Sequence, residues 1–410
     1  MNLQSPTPLP FQRVMEKATR QHTKEHNRNL VLKNIFQHES ISRAEIARIT
    51  RLTATTVSDI VADLIEVGLV SEIGVGRSIG GKNPILLNLV EDAKWLISLD
   101  LAHNQFRGAV VNLRGKIQQS VTLPVNDRTG DEALALVFEI LDQLIPSASQ
   151  PLLGIGVGTP GLINTSEGLI VHSVNLNWVN LPLTSLLKKR YHLAVYILND
   201  SQAAAIGEYT YGKDHQADED LIVINVRHGI GAGIVINGLL FQGDGGSAGE
   251  IGHIVVVPEG GVLCRCGKKG CLETVASAQA LIKRVRSLLG QYPDSPLAQV
   301  PHEINLETIE QAFKSDDPLA CQAVLETAHY IGFAVSNLVG ILNIQKIVLA
   351  GDMTRFGQPW LDEIRTTMSH TSLAEVAQNT RIEIGQFSEN GIILGASAIM
   401  VNNYSLLFNH

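Results

Sequence analysis

A chain of 410 residues that is 45% hydrophobic and only 18% charged holds enough apolar material for two or three packed domains, which excludes a disordered protein. Its formal net charge of −8 is unevenly spread: residues 1–90 carry 11 Lys and Arg against 8 Asp and Glu, the remainder 21 against 32. A basic head on an acidic body suits one module that meets a polyanion. No apolar run approaches the ~18–20 residues of a membrane span. The opening residues, MNLQSPTPLPFQRVMEK, lack the apolar core of a secretion signal. Residues 1–26 therefore read as a flexible arm, and the chain as cytoplasmic with no membrane partner.

Residues 27–90 read as a winged helix-turn-helix. In HNRNLVLKNIFQHES, Leu30, Val31, Ile35 and Phe36 recur at helical spacing. Ser42 caps a second helix, SRAEIARIT, with Glu45 three positions on as its capping-box partner. After a brief Arg51-Leu52 connection, Thr53 caps a third helix. There Val57, Ile60, Val61 and Leu64 face inward, while Thr55, Thr56, Ser58 and Asp59 face out. Two short helices on a tight turn, the second with small polar residues at its exposed N-terminal end, form the unit that enters a DNA major groove. VGLVSEIGVGRSIGGKNPILLNL then makes strand, glycine-rich loop and strand, a wing carrying Arg77 and Lys82. The alternative is an ordinary three-helix cap whose polar face meets only water. Helix lengths, caps, turn and wing together favour DNA, with Thr53, Thr55, Thr56, Ser58, Asp59, Arg77 and Lys82 as the candidate contacts.

From Trp95 the periodicity changes. WLISLDLAHNQFRGAVVNLRGKIQQSVTLPV predicts a three-strand meander turning at Arg114-Gly115. The helix DEALALVFEILDQLI, the strand LLGIGVGTPG, the strand VYILND and the helix SQAAAIGEYTYG follow. DLIVINVRHGIGAGIVINGLLFQGD opens a second meander, with turns at 229–233 and Asn237-Gly238. Helices near 276–289 and 317–343 precede the strand KIVLAG, then helix, strand and a last helix from about 391. Meander, helix and strand appear twice, which predicts two related α/β lobes around a cleft. The boundaries fall at 91–200 for the first lobe, 201–390 for the second, and 391–410 for a C-terminal helix packing back on the first.

Three of the four cysteines fall within eight positions of GEIGHIVVVPEGGVLCRCGKKGCLE, residues 249–273. Thiols stay reduced in a cytoplasm, and the one-residue gap between Cys264 and Cys266 is awkward for a mutual disulfide. With Cys271 they make C-x-C-x4-C among turn glycines, and His253 can fold back as a fourth donor. Three thiolates and an imidazole are a closed tetrahedral set, the pattern of structural zinc. Three unligated thiols in one loop would be an oxidation liability. Cys321, in an apolar helix-like run, reads as core.

Five segments in this order, GVGTPGLIN, LNDSQAAAIGE, GIGAGIVINGLLFQG, GEIGH and CRCGKKGCLE, resemble the ROK family of repressors, open reading frames and sugar kinases. The likeness runs from about Asn27 to the end. It implies an actin-like, ribonuclease H-like two-lobed sugar domain, and the winged helix resembles the repressor branch. ISRAEIA and GGKNPILLNL lean toward its xylose-responsive members, beside the N-acetylglucosamine type. Asp200 matches the kinases' general base, at a strand end where open α/β sheets bind ligands. The resemblance gives Asn199, Glu250 and Glu273 sugar hydroxyls to bind. It makes His253 a residue that touches sugar with one ring nitrogen and zinc with the other, and Gly161 the backbone that closes over the sugar.

Kinases of the family open their first lobe with a D-x-G-G-T type loop. Here the corresponding stretch is Asp100-Leu101-Ala102-His103-Asn104-Gln105, without those glycines and threonine. In the second loop Gly229, Gly231 and Gly233 remain, but Arg227-His228 replaces Gly-Thr. Asp100 and Ala350-Gly351-Asp352 persist. The expectation is a sugar-responsive repressor with structural Zn2+, acting as a homodimer on palindromic operator DNA, its Asp200 a vestigial base. The rival is an active ATP-dependent sugar kinase that also regulates. A glycerol-phosphate-type ligand or a protein partner is a lesser alternative.

Overall fold

The computed structural model describes residues 20–77, 83–212, 219–403 and 407. The described residues up to Glu91, with Asn403 and Leu407, make one compact unit, and Asp92–Asn402 make a second.

The first unit is a winged helix-turn-helix. Helix α1 (Arg20–Gln37) begins seven residues earlier than the expected 1–26 arm allows, and residues 1–19 of that arm lie outside the described residues. Its buried face is Val31, Leu32, Ile35 and Phe36; Leu30 is only half-buried. Helix α2 (Arg43–Thr50) starts with the predicted box: Ser42 Oγ accepts from Glu45 N at 3.2 Å and Glu45 Oε2 accepts from Ser42 N at 2.9 Å. Arg51 turns the chain at φ 58°, and Thr53 Oγ1 accepts from Thr56 N to start α3 (Ala54–Glu66). Val57, Ile60, Val61 and Leu64 are all buried, because 3.6-residue spacing puts them on one side. The wing strands β2 (Val70–Val75) and β3 (Ile85–Leu89) pair antiparallel, and β1 (Ile41–Ser42) completes the order β1-β3-β2.

The second unit repeats one topology. In the first lobe β4 (Trp95–Leu101), β5 (Gln105–Asn112) and β6 (Ile117–Pro124) form an antiparallel meander. Helix α4 (Gly130–Ser147) follows, then β7 (Leu152–Thr159). A small sheet of β8 (Leu162–Asn164), β9 (Leu169–Ser173) and β10 (Trp178–Leu181) comes next. Helix α5 (Leu183–Tyr191) and β11 (Val195–Asn199) complete the sheet β11-β7-β4-β5-β6. Helix α6 (Asp200–Tyr211) leads into the second lobe.

There β12 (Leu221–Val226), β13 (Ile230–Ile236) and β14 (Leu239–Phe241) are again a meander. Short α7 (Glu273–Ala276) and α8 (Ala278–Leu288) follow, then α9 (Pro296–Gln299), α10 (Leu306–Lys314) and α11 (Pro318–Leu342). Strand β15 (Lys346–Ala350), helices α12 (Gly357–Thr371) and α13 (Ala374–Asn379) and strand β16 (Arg381–Ile384) precede α14 (Gly391–Val401). The sheet runs β14-β13-β12-β15-β16, so β12 occupies the place of β4 and β15 that of β7. The buried runs of β12 and β15, apolar but for Asn225 and Lys346, are what a strand covered on both faces requires. Only Arg227, His228 and Gly229 form the first turn of this meander; Gly231 and Gly233, expected there, lie within β13. Helix α11 has the length and composition of a membrane span, yet its Leu319, Val324, Ile331 and Val335 belong to the core of this lobe.

Helices α6 and α14 pack on each other between the sheets, α6 against β12 and β13 and α14 against β4 and β7. Contact this close needs glycine: a Cβ on Gly395 would lie 1.7 Å from Ala203 O, and one on Gly156 would lie 1.8 Å from Ala396 O.

Candidate functional site

The carboxyl ends of β4, β7, β11, β12 and β15 all open on one cleft between the lobes, a cavity of about 870 Å³. Every residue expected to bind sugar lines it: Gly161, Asn199, Asp200, Glu250, His253 and Glu273. Gly161 has φ +114°, and a Cβ there would lie 2.4 Å from His172 O, so only glycine fits. Asn199 caps α6, with Oδ1 accepting from Ser201 N at 2.9 Å, and its Nδ2 donates to Gly161 O at 3.1 Å. One side chain thus fixes both the helix start and the glycine loop. Asp200 opens α6, and its Oδ1 accepts from Ser201 N at 2.8 Å. Burial pushes its carboxyl above the ordinary range, while the nearby Arg227 opposes that shift. Glu250, on the cleft rim, is raised too, by burial and then by Asp200 and Glu273.

Glu273 differs from the expected free acceptor. It is buried at the start of α7, and its carboxylate takes Arg265 Nε at 2.8 Å, Arg265 Nη2 at 2.9 Å and Ile230 N at 3.2 Å. Arg265 Nη1 also donates to Asn175 Oδ1 of the first lobe at 3.1 Å. The sequence reading passed over Arg265; its place between two cysteines, eight residues before an acid, was the only signal.

Behind this wall the four predicted metal donors converge. His253 Nδ1 lies 3.6 Å from Cys264 Sγ, Cys266 Sγ lies 3.6 Å from Cys271 Sγ, and all four donor atoms fall within 4.8 Å of one another. Around a tetrahedral zinc with ~2.3 Å bonds to sulfur, neighbouring donors sit ~3.5–3.8 Å apart, so the set fits a metal ion such as zinc. Bridges Val255–Cys271 and Leu263–Lys269 hold the loop. Burial pushes the Cys271 thiol up to about 12 and raises Cys264, so a cation binding there displaces protons. His253 Nε2 points the other way, 3.9 Å from Glu250 Oε2. One ring can therefore face both metal and cleft.

At the other end of the cleft, Arg227 crosses between the lobes. Its Nη1 donates to both oxygens of the fully buried Asp100, at 3.4 and 3.2 Å, and its Nε lies 3.8 Å from Asp352 Oδ1. Burial works against the Arg227 charge, but Asp100, Asp352 and Asp200 outweigh it and hold the guanidinium protonated. Beside it the rings of His103 and His228, one from each lobe, lie 4.3 Å apart. Burial, and then His103, lowers His228 to about 4, so it is neutral at pH 7.

On the head, Thr53, Thr55, Ser58 and Asp59 are exposed along the start of α3, and Arg77 is exposed on the wing. Thr56 departs from its expected outward place: it is half-buried, and its hydroxyl bonds Thr53 Oγ1 at 2.8 Å because both serve the helix start. Lys82 lies outside the described residues. Arg48 and Arg51, exposed at the turn, add positive charge that the sequence reading did not single out.

A family model described as "ROK family" matches residues 96–403. The chain belongs to the ROK family. Among its ROK relatives, a xylose repressor of Caldicellulosiruptor bescii is 33% identical over 387 residues, 93% of this chain and 96% of its own. A glucokinase of Halalkalibacterium halodurans is also 33% identical, but over 309 residues, 74% of this chain and 93% of its own. Among solved ROK structures, a transcriptional regulator described as a homologue of the E. coli MLC protein superposes with TM-score 0.82 at 30% identity, covering 94% of this chain and 98% of its own. Similarity to repressors therefore runs nearly end to end, whereas similarity to the kinase leaves about a quarter of this chain unmatched.

Proposed function

We propose that this protein is a sugar-responsive transcriptional repressor of carbohydrate-utilisation genes, working in the cytoplasm as a homodimer on a palindromic operator. The winged helix would read DNA, with Thr55, Ser58 and Asp59 toward bases and Arg77 and Lys82 toward backbone or minor groove. The cleft would take a free sugar on Asn199, Asp200, Glu250, His253 and Glu273, under the loop of Gly161. Zinc would sit on His253, Cys264, Cys266 and Cys271. Four protein donors would leave the ion no open position for a ligand, so these residues would use it to fix the loop that carries Glu250 and Glu273. Sugar acts by its differential affinity for a lobe arrangement that suits or spoils DNA binding.

The observation that carries the reading against a kinase is Arg227. Its guanidinium bonds Asp100, the acid that opens the first phosphate-loop segment, and approaches Asp352. A cation from the protein thus stands on the acid at the head of the loop that, in the resemblance to the family's kinases, takes phosphate, and beside Asp352 near their adenosine site. The two glycines that would let backbone amides approach phosphate are replaced by Ala102 and His103. The retained Asp100 and Asp200 favour the enzymatic alternative; in a repressor Asp200 serves as a hydroxyl acceptor instead of a base. The test offers the purified protein monosaccharides with MgATP and follows sugar phosphate. No turnover above background is expected. Turnover near the ~1–100 s⁻¹ of kinases, abolished by Asp200→Asn, contradicts the reading.

A further inference from the structure

Arg265 sits between two of the metal donors, so its backbone is fixed on both sides, and its side chain lines the cleft. A carboxylate offers about four acceptor positions, two on each oxygen. On Glu273 three are taken, by Arg265 Nε, Arg265 Nη2 and Ile230 N. One position remains, whereas two neighbouring sugar hydroxyls need two, one on each oxygen. The Glu273 side chain is only 10% exposed, which leaves little room for a ligand to bond it around the guanidinium. The same guanidinium holds Asn175, on the first-lobe loop between β9 and β10.

We infer that Arg265 is an affinity- and specificity-setting residue of the cleft, an internal competitor that a sugar must displace from Glu273. Displacement also breaks the bond to Asn175, so sugar occupancy and this tie between the lobes exclude each other. The competition favours sugars that present two adjacent hydroxyls to Glu273 at once, because a single hydroxyl cannot match the fork it replaces. It also links recognition to lobe geometry, since the fork that leaves the acid is the one that bridges the cleft.

This rests on the sugar-binding reading of the cleft, and the experiment separates the two. Titration calorimetry at pH 8 uses full-length, zinc-loaded protein and a panel of free aldoses: xylose, glucose, mannose and galactose. Arg265→Ala is expected to bind the best aldose about tenfold more tightly than wild type, about 1.4 kcal/mol. Arg265→Lys, which keeps the charge but makes one bond, should fall between. Asn175→Ala, which frees the fork at its far end without touching Glu273 or the cysteines, should tighten binding about threefold. A structural role alone cannot produce tightening. Unchanged or weaker binding in Arg265→Ala with full zinc content overturns the proposal. Where Arg265→Ala loses zinc or does not fold, unchanged or weaker binding in Arg265→Lys and Asn175→Ala overturns it equally. If no aldose binds wild type or any variant, the sugar reading itself fails and takes this inference with it.

Discussion

Asp200 lies in a cleft with four further acids, and burial already works against its charge. Replacement by Asn keeps the shape and removes the charge. Sugar binding should weaken by roughly 1.5–3 kcal/mol if a charged hydrogen bond is lost, read as a right-shifted calorimetric or operator-release titration. Glu208 has no such task. It is 4% exposed on α6, accepts from Phe387 N at 3.4 Å, and burial raises it to about 7 against an ordinary 4.5. A folded-state acid raised in this way holds its proton in the native state. Its contribution is fully present below about pH 4.5 and is lost as pH rises through about 7. Melting temperature should therefore fall across that window, and Glu208→Gln should flatten the fall; an unchanged slope would show the carboxyl to be solvated. That Gly161, Asn199, Asp200, Glu250, His253 and Glu273 share one cleft was legible because their motifs name them. The lock on Glu273 was not, because it depends on an arginine whose partner is chosen by the path of a loop.

At the scale of elements, most boundaries followed from local chemistry. The Ser42–Glu45 box, the Thr53 cap and the 3.6-residue apolar stripe of α3 fixed two helices before any tertiary contact was known. The start of α1 was missed because RQHTKEHN is polar all round and carries no periodic signal. Gly231 and Gly233 were read as turn residues, since sequence alone does not distinguish glycine for a turn from glycine for close approach. A Cβ on Gly233 would lie 2.4 Å from Ala205 Cβ, which is the reason for it. The metal loop is the element whose removal is most informative. Cys266→Ser should lower both metal content and sugar affinity, because Glu250 and Glu273 lose their common anchor. Elemental analysis near one zinc in that variant would count against the four-donor assignment. Loading wild-type apoprotein with zinc should release on the order of two to three protons per ion, measured in weakly buffered dye solution.

For the whole molecule, the sequence showed two lobes by the repeated order of meander, helix and strand, and a winged helix before them. The last helix was expected back on the first lobe; the close packing of α6 on α14 was not foreseen, because it is carried by small residues such as Ala203 and Gly395, which lack a hydrophobic signature. The two modules work together only if a sugar in the cleft changes how the head holds DNA. Thr55→Ala should alter sequence preference, whereas Arg77→Ala should weaken all duplexes similarly and flatten the salt dependence. The direct measurement is fluorescence polarisation of full-length protein on a duplex selected from a random pool, titrated with the free aldose that the cleft binds best. The account predicts that sugar shifts the DNA affinity several-fold or more, and that Asp200→Asn moves the midpoint of that shift to higher sugar. DNA affinity that is unchanged by a sugar shown to occupy the cleft would contradict it.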